Sequence, residues 1–186
     1  MTYKTAAELG ISQAEHDALV ELVPYFRTKV CTIPDHDLKG IGSSGVSAID
    51  GIVVETELGF HMNHGAGLAR DEKKYDCGCI ACIGGHVSLR MQGLAYGTRL
   101  FTGPQLRRAN GYVMDHDPRD SGDFTGLNGL FFPNNVIVER DWDKIRPDLA
   151  SDAIENFLTR GEADWESIAK ANDLTIVGSA DDDEDA

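Results

Sequence analysis

The sequence predicts an α+β, mainly helical fold: a single compact domain of four or five helices with a minor extended or β element. Three observations predict it. Apolar residues recur at helical spacing in several separate stretches. Residues 46–62 instead carry Ile49, Ile52, Val53, Val54 and Leu58 among few helix formers, which reads as one or two short strands. With 186 residues and 41% hydrophobic content, the chain can bury a sizeable core as one domain. That domain is expected to span residues 1–178. Residues 179–186 hold no apolar residue larger than Ala and read as a disordered acidic tail.

Ser12 and Glu15 match a capping box, and Leu19, Leu22, Val23, Phe26 and Val30 fall on one face. The spacing predicts a helix over residues 13–30, kinked or ended early at Pro24. Gly- and Pro-rich residues 31–46 read as a loop. A second helix is expected to start near Cys77, with Asp76 as its N-cap and Ile80, Ile83, Val87, Met91 and Leu94 as its apolar stripe. Gly84 and Gly85 weaken that helix, so another part of the chain should approach its backbone closely there. Residues 104–109 read as a short helix stopped by Asn110 and Gly111, and residues 111–135 as a long polar loop. Pro147 introduces a helix that ends at Gly161, a last helix covers residues 164–172, and residues 174–177 form a short strand.

The net charge is −14, and without the five acidic residues of Asp181 to Asp185 it is still −9. Such a field disfavours a nucleic-acid backbone as a direct ligand and suits solubility or a basic protein partner. No apolar run is long enough to span a bilayer, and residues 1–10 lack the pattern of a signal peptide. Cytoplasmic residence follows as the simplest expectation. In that compartment Cys31, Cys77, Cys79 and Cys82 are expected as reduced thiols or metal ligands rather than structural disulfides.

Residues 75–91 concentrate the chemistry, with three of the four cysteines and His86. The order Phe60-x-Met62, Cys77-Gly78-x-x-x-Cys82-Ile83-x-Gly85-His86, Leu130-Phe131-Phe132 and Ala153-Ile154-x-x-Phe157-Leu158 resembles a widespread group of small uncharacterised bacterial and phage proteins. Their central motif reads Cys-Gly-Thr-x-x-Cys-(Ile/Leu)-Ala-Gly-(His/Trp)-Ala. Here Cys79 stands in place of Thr and Gly84 in place of Ala. The resemblance covers residues 60–160 and implies a bacterial or phage origin, with no particular activity.

Three functional readings remain open on the residues. In the first, Cys77, Cys79, Cys82 and His86 hold zinc, with His61 or His64 folding back to replace a ligand that one helix cannot aim. In the second, Cys77 at a helix N-terminus is the nucleophile of a papain-like cysteine hydrolase, with His116 as base. In the third, the acidic surface binds a basic host protein as a nucleic-acid mimic. Weighed together, these favour a small cytoplasmic accessory protein, non-enzymatic, acting through protein–protein interaction, with a Cys/His turn able to bind zinc.

Overall fold

A computed structural model of the chain describes residues 2–28, 30–40, 53–55, 57–70, 74, 77, 79–119 and 121–179. The expected Asp76 cap, the tail from residue 180 and the whole segment 41–52 lie outside the described residues. The architecture is α+β and mainly helical. Five α-helices of seven residues or more carry the core: α2 (Gln13–Phe26), α3 (Ile83–Met91), α4 (Gly103–Asp115), α6 (Pro147–Arg160) and α7 (Trp165–Ala171). Two shorter ones, α1 (Ala6–Leu9) and α5 (Gly126–Phe131), complete the set among the described residues.

Among the described residues, six three-residue strands form two small sheets. In the first the order is β1 (Leu38–Gly40), β4 (Gly67–Ala69), β5 (Cys79–Ala81) and β3 (Leu58–Phe60). Strand β3 runs parallel to β5 with Gly59 opposite Ile80, while β4 runs antiparallel to both β1 and β5. The second sheet pairs β2 (Val53–Glu55) with β6 (Leu100–Thr102).

The capping box at Ser12 and Glu15 forms as the sequence indicates, with both backbone amides bonded. Pro24 does not break α2. The helix ends two residues later, and the Val23 carbonyl accepts the buried Ser151 hydroxyl at 2.9 Å, joining α2 to α6. Helix α6 runs from Pro147 to Arg160 and is closed as expected by Gly161, which lies in the left-handed region. The expected strand at 174–177 is a single bridge, Ile137 with Ile176.

Two expectations are corrected. Cys79, Ile80 and Ala81 form a strand, and the helix begins at Ile83 with Cys82 as its N-cap. Strand β5 lies between β3 and β4 and all three of its residues are buried, and a strand buried on both faces is a continuous apolar run that periodicity does not separate from a helix. The stretch at 111–135 is also not one long loop, because α4 continues through Asn110 and Gly111 to Asp115 and α5 follows. Val113 is buried and draws the added turn of α4 onto the core.

Helix α3 is the centre of the molecule, with every residue from Ile83 to Leu89 buried. The close approach expected at its glycines is present. A Cβ on Gly85 would stand 1.8 Å from the Gly65 carbonyl oxygen, and one on Gly84 2.9 Å from the Phe131 ring. Gly85→Ala should therefore destabilise the fold by about 3 kcal/mol or more, since a backbone atom has to move. Gly111, on an exposed stretch of α4 with nothing within 4 Å, should behave oppositely: Gly111→Ala gains about 1 kcal/mol of helix propensity. Urea unfolding midpoints of the two variants check both.

Candidate functional site

Strand β3 delivers its chain into a turn, His61 to His64, that seats against the start of α3. The His61 amide donates to the Ala81 carbonyl at 3.1 Å, and the Cys82 amide donates to the His64 carbonyl at 2.6 Å. The two imidazoles lie edge to face with centroids 5.1 Å apart. Opposite them is the short 3-10 turn Asp35–Asp37, entered from Pro34. Asp35 Oδ1 is 2.9 Å from His61 Nε2 and 3.1 Å from His64 Nε2.

These three ligand atoms all lie within 4.8 Å of one another. Asp35, His61 and His64 thus form a triad with the composition and spacing to hold a metal ion. His61 is buried, whereas the side chains of His64 and Asp35 are 25% and 49% exposed, so the cluster opens to solvent on one side. Burial pushes the His61 imidazolium down from its usual range, with the Asp35 carboxylate opposing. A cleft of about 210 Å³ runs past His61, lined by Thr32, Ile33, Pro34, Phe60, Asp143 and Ile145.

The predicted cysteine site does not assemble. Cys77 is disulfide-bonded to Cys31, with the sulfurs 2.06 Å apart, contrary to the expectation of free thiols. Cys79 packs with Leu58, Ala81 and Phe101, and Cys82 turns its sulfur onto the Gly85 amide. Both thiols are buried, which pushes them up to about 12 and about 11, so neither is an available thiolate. Among the described residues, Asp35, His61 and His64 are the one group of three or more His, Cys, Asp or Glu residues within ligand distance.

His86 faces the aromatic side chains of α2 instead. Its ring meets Phe26 edge to face at 4.9 Å, with Tyr25 and Tyr96 nearby, and Nε2 donates to the Gly59 carbonyl at 2.9 Å. The hydrolase pair is not formed either. Cys77 carries no thiolate, and His116 caps α4 with Nδ1 bonded to the Tyr112 carbonyl and its ring against Phe131. The carboxylates of Glu21, Asp117, Asp141, Asp148 and Glu166 are each paired with an Arg or Lys, and in all but the Glu21–Arg90 pair the partner lies within four residues.

No family model, curated protein or solved structure matches the chain. The sequence offered His61 and His64 only as residues able to fold back onto the cysteine turn, and Asp35, which lies 26 residues before His61, carries no motif. No helix among the described residues is long and apolar enough to cross a membrane.

The buried His86 makes stability depend on pH. Its folded pKa is depressed to about 4, so the unfolded chain takes up a proton that the folded one refuses. Its contribution is full above about pH 6.5 and is lost progressively as pH falls toward 4. Between pH 7.5 and 5 the loss is about 2 kcal/mol. His86→Gln keeps a donor for the Gly59 carbonyl and does not titrate. Comparing urea midpoints at the two pH values should show the acid loss shrinking by that amount in the variant.

Proposed function

We propose that this chain is a small metal-binding accessory protein that holds a divalent transition ion, zinc foremost, at Asp35, His61 and His64. The observation that carries this reading is the approach of one carboxylate oxygen and two imidazole nitrogens to within 4.8 Å of one another. Two imidazoles and a carboxylate suit zinc and its first-row neighbours rather than calcium or magnesium, which prefer all-oxygen sites.

The distances fit with a small adjustment. Ligands bonded tetrahedrally at about 2.1 Å stand roughly 3.4 Å apart, so the contacts of 2.9 and 3.1 Å to Asp35 open by a few tenths of an ångström. With Nε2 of His61 on the ion, its proton moves to Nδ1, which faces the Asn63 amide at 3.3 Å, and the turn relaxes there. Three protein ligands leave a fourth position open on the solvent side, where water or a donor from a partner protein completes the shell. The acidic chain, with its net charge of −14, favours a basic partner. The rival account of the triad is a metal-free clamp, in which both imidazoles donate to one carboxylate.

Elemental analysis of the native protein, followed by titration of the apo form with zinc, separates the two. The expected result is one zinc per chain, lost in Asp35→Asn and His61→Ala and retained in Cys79→Ala and Cys82→Ala. An apo protein that takes up no zinc at micromolar concentration leaves the clamp as the role of the triad.

A further inference from the structure

Resting on the metal-binding reading, we propose that the Cys31–Cys77 disulfide is a redox switch for the triad, opened by a dithiol reductant. The bond grips both segments that carry ligands. Cys31 lies four residues before Asp35, with only Thr32, Ile33 and Pro34 between. Its carbonyl accepts the Phe60 amide at 2.9 Å, one residue before His61. Between these contacts runs Gly59, where a Cβ would stand 2.4 Å from the Cys31 carbonyl oxygen and 2.7 Å from Cys77 Sγ. Strand β3 therefore lies directly over the disulfide on its way to the His61 turn.

Beneath this clamp is a small separate apolar cluster of Ile33, Leu38, Ala69, Cys77 and Ile80. On its far side the Asp35 segment is tied by β1, which pairs with β4, and by the Asp37 carbonyl, which accepts the Arg70 amide at 2.8 Å. Opening the bond removes the covalent tie four residues before Asp35, leaving the stretch between Cys31 and Asp37 free to shift, while His61 and His64 stay docked on Ala81 and Cys82. The carboxylate then leaves the two imidazoles, and the three-ligand site becomes a two-ligand one.

Cys31 is partly exposed and Cys77 is fully buried, so the attack falls on Cys31. A thiolate of the dithiol bonds to Cys31 Sγ, the Cys31–Cys77 bond breaks, and Cys77 leaves and takes a proton. The second thiol of the reductant then displaces Cys31 from the mixed disulfide. Two electrons and two protons have passed to the protein, and the dithiol leaves as its own disulfide. Cys79 and Cys82, buried and protonated, take no part.

The test is a competition titration of zinc against a chromogenic chelator, using the full chain in three states: oxidised, reduced with a phosphine, and reoxidised. Cys31→Ser/Cys77→Ser serves as a permanently open form with no new thiol ligands. Zinc affinity should fall at least tenfold on reduction and in the double variant, and return on reoxidation. Equal affinity in the oxidised and open forms overturns the switch and leaves the metal site standing. Affinity that rises on reduction overturns it too, with Cys31 and Cys77 then acting as ligands. Absence of zinc binding in every state overturns the metal reading and the switch with it. Should the double variant fail to fold, ¹⁵N ring spectra of the phosphine-reduced wild type decide. Loss of the Nε2 hydrogen bonds of His61 and His64 supports the switch, and their persistence overturns it.

Discussion

The constraint on which the rest of the structure depends is the contact between the Gly85 backbone in α3 and the Gly65 carbonyl. It lets a helix lie directly on the segment that follows the His61–His64 turn, with no side chain between. From that seating the Cys82 amide reaches the His64 carbonyl, and Asn110 in α4 reaches the Ala66 amide at 2.7 Å. The turn is thereby fixed from both flanks. The imidazoles depend on a rigid backbone rather than on one another. Asp35 has no such support from the helices and reaches the site by way of a disulfide and a proline.

Strand β3 shows the same division of labour. It is the outer strand of its sheet, and an open edge is a template for unwanted pairing. Here side chains and a neighbouring loop take up its polar groups. The Tyr25 hydroxyl donates to the Leu58 carbonyl at 3.0 Å, His86 Nε2 donates to the Gly59 carbonyl, and the Phe60 amide donates to the Cys31 carbonyl. His86 is thus an anchor for the buried strand β3. Its residue type attracted a metal-ligand reading because sequence spacing does not tell which side of a strand–helix junction a side chain faces.

The helical skeleton was legible because its signals are local. Capping at Ser12, Pro147 at the first position of α6 and Gly161 at its end each act within a turn of the residue that carries them. The glycine pair in α3 was legible in a different way: two poor helix formers side by side mark a backbone contact. What could not be read was anything decided by distant pairing. Cys79, Ile80 and Ala81 are apolar in any periodicity, and only the partners β3 and β4 make them a strand. The Cys31–Cys77 bond spans 46 residues and the Asp35–His61 contact 26, and neither leaves a mark on the residues nearby. The expectation of reduced thiols rested on compartment and not on geometry.

The covalent bond between Cys31 and Cys77 also has a topological consequence. Both histidines, Asp35 and three of the four strands of the larger sheet lie inside the ring it closes. In a chain-entropy account, a ring of this length removes about 4 kcal/mol of freedom from the unfolded chain. A single peptide-bond cut anywhere inside the ring leaves one covalent molecule while the sulfurs stay joined, and two fragments once they part.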